Sequence, residues 1–146
     1  MKAVAIHVDI VSAEKQIFSG LAEMLIATGE LGEMGIMHGH SPLLTKLRPG
    51  QIRVINPLNH PNTPEEIYYI SGGVLEVQPE GATVLADTVV RAADLDEAKA
   101  IEVRQAALRK MKERSTEFDY AHAASELAEA AAQIATIQRL RKQAKK

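Results

Sequence analysis

The chain has 146 residues, a formal net charge of −2, no cysteine, no tryptophan and 3% aromatic residues. This composition excludes a dedicated nucleic-acid-binding protein, because such proteins use basic patches and aromatic rings on which bases stack. The lack of cysteine excludes disulfides and thiolate–metal sites. No apolar run approaches the ~18 residues that span a bilayer, and we predict no signal peptide.

Glycine and proline divide the chain into two parts. All nine glycines and all six prolines lie before residue 82. Glycine permits positive φ and proline fixes φ without an N–H, so the first part turns often and the last part can run as uninterrupted helix. We therefore predict a β domain over residues 1–87 and a helical tail over residues 88–146.

The β domain reads as short strands in chain order. Alternation from Val4 to Ile10 indicates a half-buried strand. Residues 29–35 hold three glycines and predict a loop, and Pro49-Gly50 predicts a turn. Further strands are predicted at residues 24–28, 36–37, 52–54, 67–70, 74–77 and 83–86. Turns at roughly every eight to twelve residues indicate a sandwich or a barrel.

The tail predicts two helices that fold back as an antiparallel hairpin. Asp94 with Glu97 indicates a capping box, with Asp94 as the N-cap of a helix that runs to about residue 114. A break at residues 115–119 follows, and Asp119 is a candidate cap for a second helix from Tyr120. The apolar stripe predicted for the second helix is Leu127, Ala131, Ile134 and Ile137.

The second helix is rich in alanine. Eight of the residues from 121 to 135 are alanine, which favours helix but buries little apolar surface. Two interpretations are open. The favoured one is a tightly packed hairpin in which alanines allow close approach. The other is a helix pair that detaches and binds elsewhere.

Two further clusters have an ordinary and a functional interpretation. His38 and His40 flank Gly39, but Glu33 is the one further ligand nearby, so a turn is favoured over a metal site or a small active site. We predict no metal and no catalytic residues. The chain end holds Arg139, Arg141, Lys142, Lys145 and Lys146. These cations complement a helix dipole, and the alternative is contact with an acidic partner.

The ordered segments resemble the epsilon subunit of bacterial F-type ATP synthases over essentially the full length. The segments that carry the resemblance are residues 11–14 (VSAE), 18–20 (FSG), 32–36 (GEMGI), 39–45 (GHSPLLT), 49–50 (PG), 71–77 (SGGVLEV), 84–87 (VLAD) and 94–98 (DLDEA). The resemblance implies a fold of the β plus α class, with a flattened N-terminal β-sandwich followed by a C-terminal antiparallel two-helix hairpin.

The resemblance also implies a role and partners. It implies a non-catalytic rotor subunit of the central stalk, peripheral to the cytoplasmic face of the bacterial inner membrane. The sandwich is expected to bind the gamma subunit and the c-subunit ring, with Glu33 and His40 at the ring. The hairpin is expected to extend into the alpha and beta subunits and inhibit ATP hydrolysis. Arg139, Arg141 and Lys142 are our candidates for acidic beta-subunit surfaces, on charge and position.

Some members of that family bind ATP at the hairpin. Leu95, Asp96 and Ala100 match their motif, but Lys99 replaces an arginine, Val103 an alanine and Ala106 a second arginine. Lysine cannot reproduce the planar phosphate grip of arginine. These departures predict no resident cofactor and weak or absent ATP binding. Two alternative functions are a free-standing nucleotide sensor that uses the hairpin as a switch and, ranked last, a small enzyme that uses the His38/His40 region.

Overall fold

The computed structural model describes residues 4–113 and 116–144 and divides into two compact units, Met1–Val90 and Arg91–Lys146. The boundary follows residue 90, three residues beyond the predicted end of the β domain at residue 87. The strands within the described residues are β1 Ile6–Ser12, β2 Gln16–Ala22, β3 Met24–Gly29, β4 Gly32–Ile36, β5 Leu43–Ile55, β6 Glu65–Ile70, β7 Gly73–Gln78, β8 Gly81–Ala86 and β9 Val89–Arg91. A 3₁₀ turn, Ala92–Asp94, precedes α1 Glu97–Lys112 and α2 Glu117–Ala144.

The strands form one hydrogen-bonded sheet with the order β2-β1-β8-β7-β5-β3-β4, and β6 pairs with both β5 and β9. Along the order from β2 to β4 the neighbours are antiparallel except β1 and β8, which run parallel from His7 beside Gly81 to Ser12 beside Ala86, and β6 is antiparallel to β5. The sequence missed β2 and β9. In β2, Phe18 and Ala22 are buried, but Ser19 and Gly20 between them weaken the strand pattern.

Residues 29–35 are not a loop, which corrects the sequence-based expectation. Gly29 pairs with Gly32 across a tight β3–β4 hairpin whose turn is Glu30-Leu31. Gly32 has φ 127, a conformation open to glycine, and the rest of β4 joins the ladder with β3. The three glycines mark a hairpin and an edge strand. β4 ends at Ile36, so Met37 lies outside it.

Pro49-Gly50 is also not a turn, because it lies inside the long strand β5. Residues 43–47 of β5 pair with β7, whereas residues 50–55 pair with β6. The change of partner occurs at Pro49, which has no N–H to donate. A Cβ on Gly50 would lie 3.0 Å from the Thr28 side chain. The dipeptide therefore marks an irregularity that lets one strand serve two parts of the sheet.

One apolar core fills the first unit. Ile6, Val8 and Ile10 alternate with exposed or half-buried residues along β1, as the sequence predicted, although Val4 lies before the strand and is exposed. The largest side chains with essentially no exposed surface are Tyr68, Tyr69, Ile6, Ile10, Leu25, Ile36, Ile52, Ile70 and Leu75. Burial of each such aliphatic side chain contributes about 1.5–3 kcal/mol.

The second unit is the predicted antiparallel hairpin. Arg141 Nη1 lies 2.7 Å from Glu97 Oε2, so the end of α2 meets the start of α1. Ile134 and Ile137 are buried and Leu127 is half-buried, as predicted, but Ala131 is exposed. In place of Ala131, the structure buries Ala123 and Ala130, which are seven residues apart and on one face, and it also buries Thr136. Among the described residues, no helix is both long and apolar enough to cross a membrane.

Both predicted helix caps are corrected. Asp94 belongs to the 3₁₀ turn, and Asp96 caps α1 by accepting a hydrogen bond from the Lys99 N–H at 3.1 Å. At α2, Thr116 Oγ1 accepts from the Asp119 N–H at 3.2 Å and donates to Asp119 Oδ2 at 2.9 Å. Thr116 is thus the capping side chain and Asp119 its first-turn partner. The predicted break at residues 115–119 is wrong over residues 117–119, because α2 begins at Glu117 rather than at Tyr120. Arg114 and Ser115 lie outside the described residues, as do Lys145 and Lys146.

Candidate docking surfaces

Glu33 lies near the start of the edge strand β4, directly opposite Thr28 on β3. Its side chain is 51% exposed, and its Oε2 lies 3.6 Å from Nη2 of Arg53. The sequence singled out Glu33 but not this partner, which is twenty residues away along the chain. The carboxylate is therefore accessible and also held next to a cation.

Arg53 bridges two carboxylates. Its Nη1 donates to Glu65 Oε2 at 3.4 Å, and the side chains of Arg53 and Glu65 are only 14% and 19% exposed. The Nε of Arg53 is buried, and no hydrogen-bond partner for it lies among the described residues. Partial burial strengthens the electrostatic attraction between the guanidinium and its carboxylates relative to bulk water. Arg53, Glu33 and Glu65 form a group that we call the Arg53 triad.

His40 lies in a turn rather than on a strand. Its backbone N–H donates to Met37 O at 3.1 Å, and its Nδ1 donates to Ser41 O at 2.7 Å. Gly39 has φ 86, and its N–H donates to Pro79 O at 2.7 Å, which ties this turn to the β7–β8 hairpin. His38 and His40 therefore do not share a strand face. No group of three or more metal-ligating side chains occurs among the described residues.

Glu33 and His40, both expected at the ring, have different local partners. Glu33 is beside Arg53 at the β3–β4 hairpin, whereas the turn that holds His40 is bonded to the β7–β8 turn. Among the described residues, no hydrogen bond or ion pair joins their side chains. Each is partly or largely exposed and available to a partner.

The candidate nucleotide positions have local structural roles. Asp96 caps α1, and Lys99 donates its backbone N–H to that cap. Ala100 is 2% exposed, so its methyl group is already packed, and Leu95 is half-buried. Their match to the ATP-binding motif coincides with the start of a capped helix.

The basic end of α2 is partly engaged. Arg141 is paired with Glu97, while Lys142 is exposed and Arg139 half-buried. Arg141 is 61% exposed and Glu97 is 32% exposed, so solvent screens this pair. The three cations lie together on the last turns of α2, and one of them closes the hairpin.

A cluster that the sequence did not indicate fastens the loop before β6. His60 Nδ1 contacts Glu66 Oε1, and Tyr68 OH donates to Glu66 Oε2 at 2.6 Å. Phe18 packs edge-on against the rings of both His60 and Tyr68. The Leu58 N–H also donates to Leu21 O at 2.8 Å. These contacts explain why this loop, which contains three prolines, has one defined conformation.

Family models match both units of the chain. Residues 5–92 match the model of the ATP synthase Delta/Epsilon chain beta-sandwich domain, and residues 93–138 match the model of the long alpha-helix domain of the same chain. The junction between the two matches lies within two residues of the boundary between the compact units. The fold predicted from the sequence is confirmed.

Full-length relatives are similar as well. The ATP synthase epsilon chain of Nitrosococcus oceani is 54% identical over 140 residues, covering 96% of this chain and 97% of the relative. That of Chromohalobacter salexigens is 58% identical over 133 residues, covering 91% and 92%. The predicted resemblance to epsilon chains is confirmed.

Solved structures share the fold at low sequence identity. A chain in the cryo-EM structure of the Euglena gracilis mitochondrial ATP synthase superposes with a TM-score of 0.80 at 18% identity, covering 94% of this chain and 84% of that one. A chain in the central stalk and c-ring structure of the Tetrahymena thermophila enzyme gives 0.58 at 14% identity, covering 94% and 99%.

Proposed function

Because the chain belongs to the ATP synthase Delta/Epsilon chain family, we propose that it is the non-catalytic epsilon-type rotor subunit of the central stalk of an F-type ATP synthase. It would couple rotation of the c-subunit ring to the catalytic head and inhibit ATP hydrolysis through its C-terminal helices. The observation that supports this most strongly is identity above 50% to bacterial epsilon chains over more than nine-tenths of both sequences.

The first unit is the anchor in this proposal. Its core of large buried side chains makes it the rigid part of the chain, suited to transmit torque between the gamma subunit and the ring. Glu33 and His40 are the proposed ring contacts. The exposed Glu33 carboxylate and the ordered backbone around His40 support them, because both present polar groups from fixed elements. The chain would be peripheral to the cytoplasmic face of the bacterial inner membrane.

The second unit is the regulatory part in this proposal. In an extended form, Arg139, Arg141 and Lys142 would meet acidic surfaces of the beta subunit within the alpha–beta head. In the described hairpin, Arg141 is bound to Glu97, so inhibition would require this ion pair to open. An alanine-rich hairpin suits such a change, because the two states can differ by only a few kcal/mol. ATP would be at most a weak regulatory ligand.

The test is a titration of ATP hydrolysis by a catalytic head that lacks its epsilon chain. We would add the full chain and, separately, a form ending at Val90. We expect only the full chain to inhibit, while both bind gamma. Equal behaviour of the two forms, with gamma binding intact, would make the helices structural and refute the inhibitory role.

A charge-matched pair of variants locates the inhibitory contact. One carries Arg139→Gln, Arg141→Gln and Lys142→Gln; the control carries Arg109→Gln, Lys110→Gln and Lys112→Gln in the last turn of α1. If the α2 end meets acidic beta-subunit groups, we expect the first variant to raise the half-inhibitory concentration roughly tenfold and the control to change it little. An equal shift for both variants would indicate general charge steering.

A further inference from the structure

The register of the sheet places Arg53 between its two carboxylates. Arg53 is directly opposite Ile67 on β6 and Ile26 on β3, and Ile26 is in turn opposite Gly35 on β4. Directly opposed residues project from the same face of a sheet, and so do residues two apart on one strand. Glu65 and Glu33 are each two residues from this row, one on β6 and one on β4. The guanidinium therefore lies between them.

Arg53 and Glu33 are on strands that are not direct neighbours. β3 lies between β5, which carries Arg53, and β4, which carries Glu33. The contact of 3.6 Å between Arg53 Nη2 and Glu33 Oε2 shows that the long arginine side chain crosses β3 to reach the edge strand.

The three members of the triad are unequally exposed. Arg53 and Glu65 are mostly buried and neutralise each other, whereas Glu33 is half-exposed and carries the excess negative charge. One cation and two carboxylates leave a net charge of −1, and this charge lies at the solvent-facing end. The Glu33 carboxylate is therefore accessible to solvent, and the mostly buried Arg53 guanidinium contacts it from within the domain.

We propose that Arg53 is a positioning residue for Glu33: from its partly buried pair with Glu65 it holds the Glu33 carboxylate in the orientation that meets a basic or N–H-rich loop of the c-subunit ring. This proposal rests on the proposed function, in which Glu33 contacts the ring. A glutamate that is already held loses less side-chain freedom on binding than a free one. Arg53 thus contributes to the ring contact without touching the ring.

The experiment is a double-mutant cycle in the assembled enzyme. Catalytic heads carrying the variant chain are bound to vesicles that contain the ring but have been stripped of heads, and the half-saturating concentration is measured. The variants are Glu33→Gln, Arg53→Gln and the double variant. Arg48→Gln removes the same charge from an exposed position of β5, for which the described residues include no ion pair, and serves as the matched control.

We expect Glu33→Gln to raise the half-saturating concentration, and Arg53→Gln to raise it roughly two- to tenfold, the range for immobilising one flexible side chain. The double variant is expected to be no worse than Glu33→Gln alone, because Arg53 acts through Glu33. Arg48→Gln is expected to leave binding unchanged. Gamma binding of each variant chain, measured separately, excludes unfolding as the cause.

Two outcomes separate this inference from the proposed function. If Glu33→Gln leaves ring binding unchanged, the proposed Glu33 contact is wrong and the positioning role is wrong with it. If Glu33→Gln weakens binding but Arg53→Gln does not, the contact stands and the positioning role is overturned. Additive losses in the double variant would likewise overturn it, because Arg53 would then act independently of Glu33.

Discussion

The two units of this chain are stabilised by side chains of different size. The first unit buries isoleucine, leucine, valine and tyrosine in one continuous core. Over residues 91–113 and 116–144, five of the seven buried apolar residues are alanine: Ala92, Ala100, Ala107, Ala123, Ala130, with Ile134 and Ile137. A buried methyl group contributes about 0.8 kcal/mol, against about 1.5–3 for a larger aliphatic side chain. The second unit is therefore stabilised by less apolar burial per side chain than the first, as the proposed rearrangement of the helices requires.

The largest expected effect is the loss of stability caused by shortening a buried side chain, and it is expected to differ between the two units. Leu75→Ala removes a fully buried side chain from the core of the first unit and should lower its stability by about 2–5 kcal/mol. Ala107→Gly, at a fully buried position of α1, should lower the stability of the hairpin by about 1–2 kcal/mol, from helix propensity and one methyl group. Native-state hydrogen exchange, read separately over β-strand and helix peptides, measures both.

The same measurement shows which unit loses stability after each substitution. Each substitution is expected to raise exchange mainly in its own unit. If either substitution raises exchange to the same extent throughout the chain, the two units unfold as one cooperative body, and the contrast between a fixed and a rearranging part is wrong.

A smaller effect sharpens the description of the hairpin by locating the start of α1. Asp96→Ala removes the side chain that accepts the Lys99 N–H and should destabilise the hairpin by about 1 kcal/mol. Asp94→Ala, which removes the same charge two residues earlier in the 3₁₀ turn, should change it by less than about 0.5 kcal/mol. Urea unfolding followed by helical circular dichroism compares the two. A larger loss of stability for Asp94→Ala than for Asp96→Ala would identify Asp94 as the N-cap of α1.

The smallest effect concerns the ion pair that closes the hairpin. Glu97→Gln releases Arg141, and because the pair is largely exposed the cost should be about 0–1 kcal/mol. If hairpin opening precedes inhibition, the variant should inhibit ATP hydrolysis up to about fivefold more strongly at low salt, with less difference at high salt. Glu102→Gln, an exposed change on the same helix, is the control. If Glu97→Gln inhibits ATP hydrolysis more weakly than the unchanged chain, hairpin opening does not precede inhibition.

The sequence predicted the elements better than the connections between them. The alternation of apolar with other residues in β1 and the continuous apolar run at residues 67–70 both predicted strands correctly. These signals are local, because they depend only on neighbouring residues. Pro49-Gly50 correctly signalled irregular backbone, but a turn and a change of strand partner have the same composition. Asp94 and Asp96 are both good capping residues, and the extended backbone at Leu95 decides between them.

The candidate site was less accessible to sequence reasoning. Glu33 was singled out from a family pattern, but nothing near it in the chain points to Arg53 or Glu65. Their proximity depends on the register of four strands, and a shift of one residue would send each side chain to the opposite face. The one local signal for the site was the position of a charged residue, Arg53, between the two apolar residues Ile52 and Val54.

The parallel pairing of β1 with β8 has a consequence for how the chain folds as it is synthesised. β1 can pair with β2 as soon as both have left the ribosome, but its other edge stays open until residues 81–86 emerge. Contacts between residues so distant in sequence form slowly, whereas a helical hairpin forms from local contacts. The first strand made is thus among the last to be completed, and its open edge is the segment of the nascent chain most exposed to wrong pairing.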